Sequence, residues 1–163
     1  MIVDSNILIA AERRGDALDQ AILRIREIHG DQLCALSSIS IIELTHGIHR
    51  GRFPEHRERR RVFVDEICKG MTVYPVTLEI AQLAGRIEGE QAQRGFAIPF
   101  EDLIIGSTAL YLGFDVLTLN LRHFQLIPGL KAFCPLSPSR KSVLLSFSLP
   151  QSGARLDSLS VAK

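Results

Sequence analysis

The chain has 163 residues, of which 46% are hydrophobic, and a formal net charge of +1. A chain of this length buries roughly 70% of the surface that its unfolded form exposes, so we expect one domain with its own hydrophobic core. A net charge so close to zero excludes a whole-molecule field that draws the protein to nucleic acid or to a membrane. The basic residues are mostly arginine, however, with 15 arginines and only 4 lysines.

The cysteines and the apolar segments limit the cellular setting. Cys34, Cys68 and Cys134 are widely spaced and form no CxxC or Cys/His metal motif, so we expect neither a disulfide framework nor a zinc site. The reduced state that this implies favours the cytoplasm. The beginning MIVDSN lacks a basic region before an apolar run, and no 18 consecutive residues are apolar. We therefore expect no signal peptide and no membrane-spanning helix.

Strand-like and helix-like segments alternate along the chain, which predicts an α/β fold with a mainly parallel sheet. Short apolar runs predict strands at 1–4, 33–36, 71–76 and 116–119. Helical spacing of apolar residues predicts a helix that starts at Ser5 and further helices at 16–28, 38–50, 55–68, 77–93 and 100–112.

The composition changes near residue 135. Residues 1–134 are predicted to form the folded domain, whereas 135–163 are rich in serine and lose helical periodicity. The second segment is interpreted as a poorly ordered C-terminal tail. Its one apolar stretch, at 142–149, is a candidate edge strand.

Asp4 stands where the first predicted strand ends and a helix begins. In open α/β folds, ligands bind at the carboxyl ends of the strands, which makes this carboxylate a candidate site residue. The alternative is a structural one, in which Asp4 caps the helix by accepting hydrogen bonds from its free N–H groups.

Glu43 lies in a helix that is otherwise apolar around it, with Ile39, Ile42 and His46 on the same face. Burial of an unpaired carboxylate is costly, so Glu43 needs a cation, a hydrogen-bond donor or a solvent-filled cleft. Membership of a functional site and a salt bridge to an arginine are both compatible with this position.

Asp102 falls in the first turn of the helix predicted at 100–112. The helix dipole favours an ionised carboxylate there, which is also a purely structural explanation for this acid. Gly106, Ser107 and Ala109 are small, so this helix is expected to approach the sheet closely and direct Asp102 at the strand ends.

Three carboxylates on separate elements match the requirement of a hard cation. Mg²⁺ takes oxygen ligands in octahedral geometry and keeps several waters, so two or three carboxylates suffice. Beside a phosphodiester, such an ion polarises a phosphoryl oxygen and activates water. The spacing alone is a weak indication of this chemistry.

Residues 49–61 read HRGRFPEHRERRR and hold six arginines against two glutamates. Three interpretations of this stretch stay open: phosphate contacts with RNA, docking of a partner protein, and a solvated helix face with Glu–Arg pairs. The candidate contact residues are Arg50, Arg52, Arg59, Arg60 and Arg61.

Three segments together resemble a known family. Asp4 in IVDSNIL, Glu43 in SSISIIELTHGI and Asp102 in PFEDLIIGSTALYLGFDVLTLNLRHFQLIPGL are similar to the three motif blocks of PIN-domain proteins. The similarity is to the VapC-like toxin ribonucleases of type II toxin–antitoxin pairs, and it extends in order over residues 1–134. The third block is the most specific, with an acid, a helix of small residues, a strand, T-x-N-x-x-x-F and I-P-G-L.

The resemblance implies a three-layer α/β/α fold and a cytoplasmic endoribonuclease that depends on Mg²⁺, with Mn²⁺ as an alternative. It also implies a cognate antitoxin and a homodimer. The implied metal-holding and catalytic carboxylates are Asp4, Glu43 and Asp102. The implied supporting residues are Ser5 and Asn6, which orient Asp4, and Thr118 and Asn120, on the strand that closes the site.

His123 departs from the pattern of the family. Many relatives carry a fourth acid immediately before the phenylalanine of T-x-N-x-x-x-F, where this chain has His123. Histidine is a poor Mg²⁺ ligand and a better Mn²⁺ ligand, so one negative charge fewer implies weaker binding of a second metal ion. The alternative is that His123 is a loop residue without a role.

The leading hypothesis is therefore a metal-dependent ribonuclease that leaves a 5′-phosphate and a 3′-hydroxyl. A catalytically weakened PIN-like module that binds RNA or an antitoxin without cleavage is the alternative. A phosphatase with an aspartyl nucleophile is disfavoured. Such phosphatases usually have a second acid two residues after the nucleophile, and the residue two positions after Asp4 is Asn6.

Overall fold

The computed structural model of the protein describes residues 1–135, along which short strands alternate with helices. In chain order the elements are β1 (Ile2–Val3), α1 (Ser5–Arg14), α2 (Leu18–His29), β2 (Ala35–Ser37), α3 (Ser38–His49), α4 (Pro54–Gly70), β3 (Thr72–Tyr74), α5 (Leu78–Gln93), α6 (Phe100–Leu112), β4 (Val116–Leu117), α7 (Leu121–Phe124) and β5 (Ala132–Phe133). None of these helices combines the length and the apolar composition that crossing a membrane requires.

The four predicted strands and the six predicted helices are confirmed in position, although the strands are shorter than predicted. The sequence missed α7 and β5, because two to four residues are too few for periodicity to reveal an element. The candidate edge strand at 142–149 lies outside the described residues, as does all of the predicted tail except Pro135.

The sheet has five strands in the order β3-β2-β1-β4-β5, and every neighbouring pair is parallel. Ile2 of the central strand pairs with Ala35 of β2 on one side and with Val116 of β4 on the other. The chain passes from β1 outward to β3 and then crosses back to β4 beyond β1. This reversal of strand order opens a crevice at the carboxyl end of β1, the usual ligand position in such sheets.

Side chains of the strands alternate between two hydrophobic clusters, one on each face of the sheet. Val3 belongs to a cluster with residues of α1, α2 and α4, whereas Ile2 belongs to a cluster with residues of α5 and α6. This alternation is the two-residue period of a strand that is covered on both faces. The predicted three-layer α/β/α fold is therefore confirmed.

A buried ion-pair group attaches α4 to α1 and α3. Glu12 of α1 is only 6% exposed, and its carboxylate lies 3.0 Å from Arg59 Nη2 and 3.6 Å from Arg60 Nε of α4. Arg60 Nη1 also donates to the backbone oxygen of Gly47 in α3, at 2.8 Å. Glu12 therefore joins α1 to α4, and Arg60 joins α4 to α3.

Replacement of Glu12 by alanine tests this attachment. Arg60, whose side chain is 28% exposed, then has no acidic partner, so we expect the free energy of unfolding to fall by about 1–3 kcal/mol. Chemical denaturation measures the change. The matched control is Glu58→Ala, because Glu58 pairs with Arg61 and both side chains are more than half exposed, so no measurable loss is expected there. Equal losses in the two variants contradict this account.

Candidate active site

Asp4 lies at the carboxyl end of the central strand, as the sequence predicted, and only 2% of it is exposed. It is also the N-cap residue of α1, but the capping hydrogen bond from Asn6 N to Oδ1 is long, at 3.4 Å. Capping is thus a minor part of its environment. A carboxylate buried where the strand order reverses requires stronger partners.

Those partners come from the start of α1 and from the end of β4. Thr118 Oγ1 donates to Asp4 Oδ2 at 2.6 Å, and Asn6 Nδ2 donates to the same oxygen at 2.7 Å. Asn6 Oδ1 accepts a hydrogen bond from Leu119 N at 3.1 Å, which fixes the amide in this orientation. Asn6 and Thr118 therefore hold the Asp4 carboxylate in one position. The resemblance implied this role for Asn6, whereas the hydrogen bond from Thr118 to Asp4 was not predicted.

Ser5 connects Asp4 to Glu43. Its hydroxyl donates to Glu43 Oε2 at 2.9 Å and lies 3.4 Å from Asp4 Oδ1. Ser5 thus supports Glu43 more closely than it supports Asp4, a contact that the sequence did not predict. Among residues 1–135, Glu43 has no ion pair with an arginine, so no described residue supports the salt-bridge interpretation of this acid.

Asp102 lies in the first turn of α6, and its nearest polar partner is His123. The Nδ1 atom of His123 is 2.6 Å from Asp102 Oδ2, and both side chains are less than one-fifth exposed. Asn120 reaches the same group, since its Nδ2 lies 2.8 Å from His123 Nδ1 and its backbone N donates to Thr118 Oγ1 at 2.9 Å. The interpretation of His123 as an uninvolved loop residue is therefore wrong.

The acids interact electrostatically. Burial raises the pKa of Asp4 and the negative charge of Asp102 raises it further, against the lowering effect of the hydrogen bond from Thr118. Burial is also the main cause of the raised pKa of Glu43, and the charges of Asp4, Glu101 and Asp102 add to it. The three predicted acids thus lie within electrostatic reach of one another. Glu101 was not among the predicted site residues, although it adjoins Asp102 in the same helical turn.

The donor chemistry of this site fits Mg²⁺ or Mn²⁺, since crowded carboxylates provide hard oxygen ligands and need positive charge. The side chains as they stand are not a finished coordination sphere, because no three Asp, Glu, His or Cys side chains within residues 1–135 are gathered as metal ligands. Each carboxylate instead faces its own hydrogen-bond donor.

A groove of about 510 Å³ adjoins the acids and lies between α1, α3 and α4. Its lining includes Glu43 and Glu101, as well as Arg13, Arg50 and Arg60. Carboxylates of the acidic site and guanidinium groups are therefore lining the same groove.

The other candidate arginines have different surroundings. Arg59 pairs with Glu12, and Arg61 pairs with two acids of its own helix. The guanidinium of Arg52 lies 5.9 Å from the centre of the Phe53 ring. Three of the five arginines, counting Arg60, thus have acidic partners within the molecule, and contact with RNA or with a partner stays a prediction for all five.

The raised pKa values of Asp4 and Glu43 predict how stability depends on pH. Above their ordinary pKa values of 3.8 and 4.5, the unfolded chain releases these protons before the folded chain does, so stability falls as the pH rises through the folded-state values. In EDTA, we expect the double variant Asp4→Asn/Glu43→Gln to lose less thermal stability than the wild type between about pH 4 and about pH 8. Melting temperatures that change equally with pH in the double variant and in the wild type contradict the raised pKa values of Asp4 and Glu43.

A family model for the PIN domain matches residues 1–129. Ribonuclease VapC1 of Rickettsia felis is 28% identical over 131 residues, which are 80% of this chain and 92% of the relative. The tRNA(fMet)-specific endonuclease VapC of Salmonella typhimurium is 30% identical over 104 residues, 64% of this chain and 76% of the relative. The crystal structure of VapBC2 from Rickettsia felis bound to a promoter DNA fragment superposes with a TM-score of 0.70 at 22% identity, over 82% of this chain and 96% of that one. The chain therefore belongs to the PIN domain family and is similar to its VapC members.

Proposed function

We propose that this chain is a metal-dependent endoribonuclease and the toxin of a toxin–antitoxin pair. The observation that carries the proposal is the buried Asp4 at the reversal of strand order, with Asp102 close enough for its negative charge to raise the pKa of both Asp4 and Glu43. The ribonuclease and endonuclease activities in the names of the VapC relatives support it.

Asp4, Glu43 and Asp102 are the residues proposed to hold the metal ion, with Mg²⁺ as the first candidate and Mn²⁺ as the second. When bound, such an ion polarises a phosphoryl oxygen and lowers the pKa of a bound water. Carboxylate oxygens are the ligands that both ions accept.

The protein's own contribution is to hold these carboxylates and to receive the substrate. Thr118 and Asn6 fix Asp4, and Ser5 fixes Glu43, so the acids are oriented before RNA arrives. Arg50 lines the groove beside Glu43 and has no acidic partner among the described residues. It is proposed to contact a phosphate of the RNA that flanks the reacting bond.

The partners follow from the similarity to VapC proteins. A cognate antitoxin, a homodimer and a cytoplasmic location are all parts of the proposal. Arg52, Arg59, Arg60 and Arg61 are candidates for contact with either RNA or the antitoxin, because guanidinium groups bind both phosphates and carboxylates.

Asp4→Asn tests the proposed activity. The variant keeps the size of the side chain and removes one anionic ligand, so we expect RNA cleavage in Mg²⁺ or Mn²⁺ to fall at least about 100-fold. Gel analysis of a defined RNA, with chemical identification of 5′-phosphate and 3′-hydroxyl ends, measures the reaction. Asp31→Asn is the matched control, because this side chain is 88% exposed, and it should cleave like the wild type.

Two results decide against the proposal. Equal cleavage by Asp4→Asn and the wild type removes Asp4 from the mechanism. RNA binding without cleavage by the wild type, in either metal, favours the alternative of a PIN-like module that has lost its activity.

Thr118→Val tests the support of Asp4 at nearly constant volume. The valine leaves Asp4 Oδ2 without its 2.6 Å hydrogen bond, so we expect metal affinity to fall about 10- to 100-fold. Calorimetric titration with Mn²⁺ measures the affinity. Thr118→Ser is the control, because it keeps the hydroxyl and should bind Mn²⁺ like the wild type. Wild-type affinity in the valine variant contradicts the role of this hydroxyl.

A further inference from the structure

A second groove, of about 350 Å³, lies between α1 and α2 and shares no lining residue with the groove beside the acids. We call it the α1–α2 groove. Its lining is mainly apolar and includes Ala10, Ala11, Ile25, Ile28, Leu119 and Pro135. Ile28 is 39% exposed and Leu119 is 40% exposed, so within residues 1–135 this apolar surface is open to solvent.

The two charged residues that line the α1–α2 groove, Arg14 and Arg24, have the same acidic partner. Asp16 Oδ2 lies 2.8 Å from Arg14 Nη2 and 3.6 Å from Arg24 Nε. Both arginine side chains are more than half exposed. Because their charges lie toward solvent and beside an acid, the groove itself suits an apolar, uncharged occupant.

The chain itself leads into this groove. β5 is parallel to β4, and Thr118 N donates to the backbone oxygen of Phe133 at 2.9 Å. The chain therefore leaves β5 at the edge of the sheet where β4 also ends. Leu119 follows β4 and Pro135 follows β5, and both line the groove. The residues after Pro135 thus begin at the groove.

The segment 142–149, which lies outside the described residues, has the composition that such a groove requires. It reads SVLLSFSL and contains no charged residue, glycine or proline. Apolar side chains recur at every second position, which puts them on one face of an extended chain. These are Val143, Leu145, Phe147 and Leu149. An uncharged run with this pattern promotes association between chains when it is exposed, so a partner surface for its apolar face is needed.

The connection between Pro135 and this segment is long enough and short enough for docking within one chain. Val143 is eight residues after Pro135, and an extended chain of that length spans roughly 26 Å. The 12 residues of α2 extend over about 18 Å, so the segment can reach any part of the groove. A short tether gives an effective concentration on the order of millimolar, an advantage that a separate protein lacks.

We propose that the apolar face of the segment 142–149 binds in the α1–α2 groove of the same chain. The docked segment covers Ile28 and Leu119 and closes the groove to other proteins. The inference is independent of the proposed function, because neither the groove nor the segment contains Asp4, Glu43 or Asp102.

Photo-crosslinking in the full chain tests this proposal. Phe147 is replaced by the aromatic photo-crosslinker p-benzoylphenylalanine, the protein is irradiated, and the linked peptides are identified by mass spectrometry. We expect crosslinks to peptides of α1 and α2, in a product with the mass of a single chain. The same photo-crosslinker at Ser148 is the control for orientation. Ser148 lies on the other face of the alternating pattern, so we expect a lower yield of crosslinks to the groove.

A charge in the groove tests the surface itself. We expect Ile28→Lys to lower the yield of crosslinks from position 147 at least about 10-fold, because docking would bury the new ammonium group among apolar side chains. Leu23→Lys is the matched control. Leu23 lies on the same helix and is 57% exposed, but it does not line the groove, so the wild-type yield is expected.

Several results overturn the proposal. Crosslinks from position 147 to other parts of the chain, or no crosslinks, show that the groove is not the docking site of the segment. A product with twice the mass of the chain assigns the groove to a second copy. Equal yields from positions 147 and 148 overturn the assigned face, and equal yields in folded Ile28→Lys and Leu23→Lys overturn the assigned surface. The crosslinks of the otherwise unchanged chain decide the matter if Ile28→Lys does not fold.

Discussion

The hydrogen bonds from Thr118 and Asn6 to the buried Asp4 carboxylate are the constraint on which the site depends. Asp4 follows the central strand, Thr118 follows the neighbouring strand β4, and Asn6 lies in the first turn of α1. The parallel pairing of β1 with β4 brings the threonine to the aspartate, so the sheet itself positions the side chain. This is why a carboxylate that is 2% exposed tolerates its burial.

The negative charges of the neighbouring acids lower the stability of the folded protein. Burial and neighbouring negative charges raise the pKa of both Asp4 and Glu43, which means that their ionised forms are destabilised in the folded protein. Hydrogen bonds from Thr118 and Ser5 offset only part of that cost. A bound divalent cation would stabilise these ionised carboxylates. Acids with perturbed pKa values cluster at functional sites.

The sequence predicted the elements and acids whose signals are local. The strand-to-helix step at Asp4 and the single acid in an apolar helix at Glu43 were visible within a few residues, and the long block around Asp102 carried the family resemblance. The contact between His123 and Asp102 was not predictable, because 21 residues separate them and the four-residue helix α7 has no periodic signal. The pairing of Glu12 with Arg59 bridges 47 residues, and nothing near Arg59 distinguishes it from an arginine that contacts RNA.

The most direct test of this account is a crystal structure of the protein with Mn²⁺, located by its anomalous scattering. The account predicts manganese bound by carboxylate oxygens of Asp4, Glu43 and Asp102, at the usual Mn–O distance of about 2.1 Å, with Thr118 still hydrogen-bonded to Asp4. A manganese ion bound elsewhere, in crystals of protein that cleaves RNA, would contradict it.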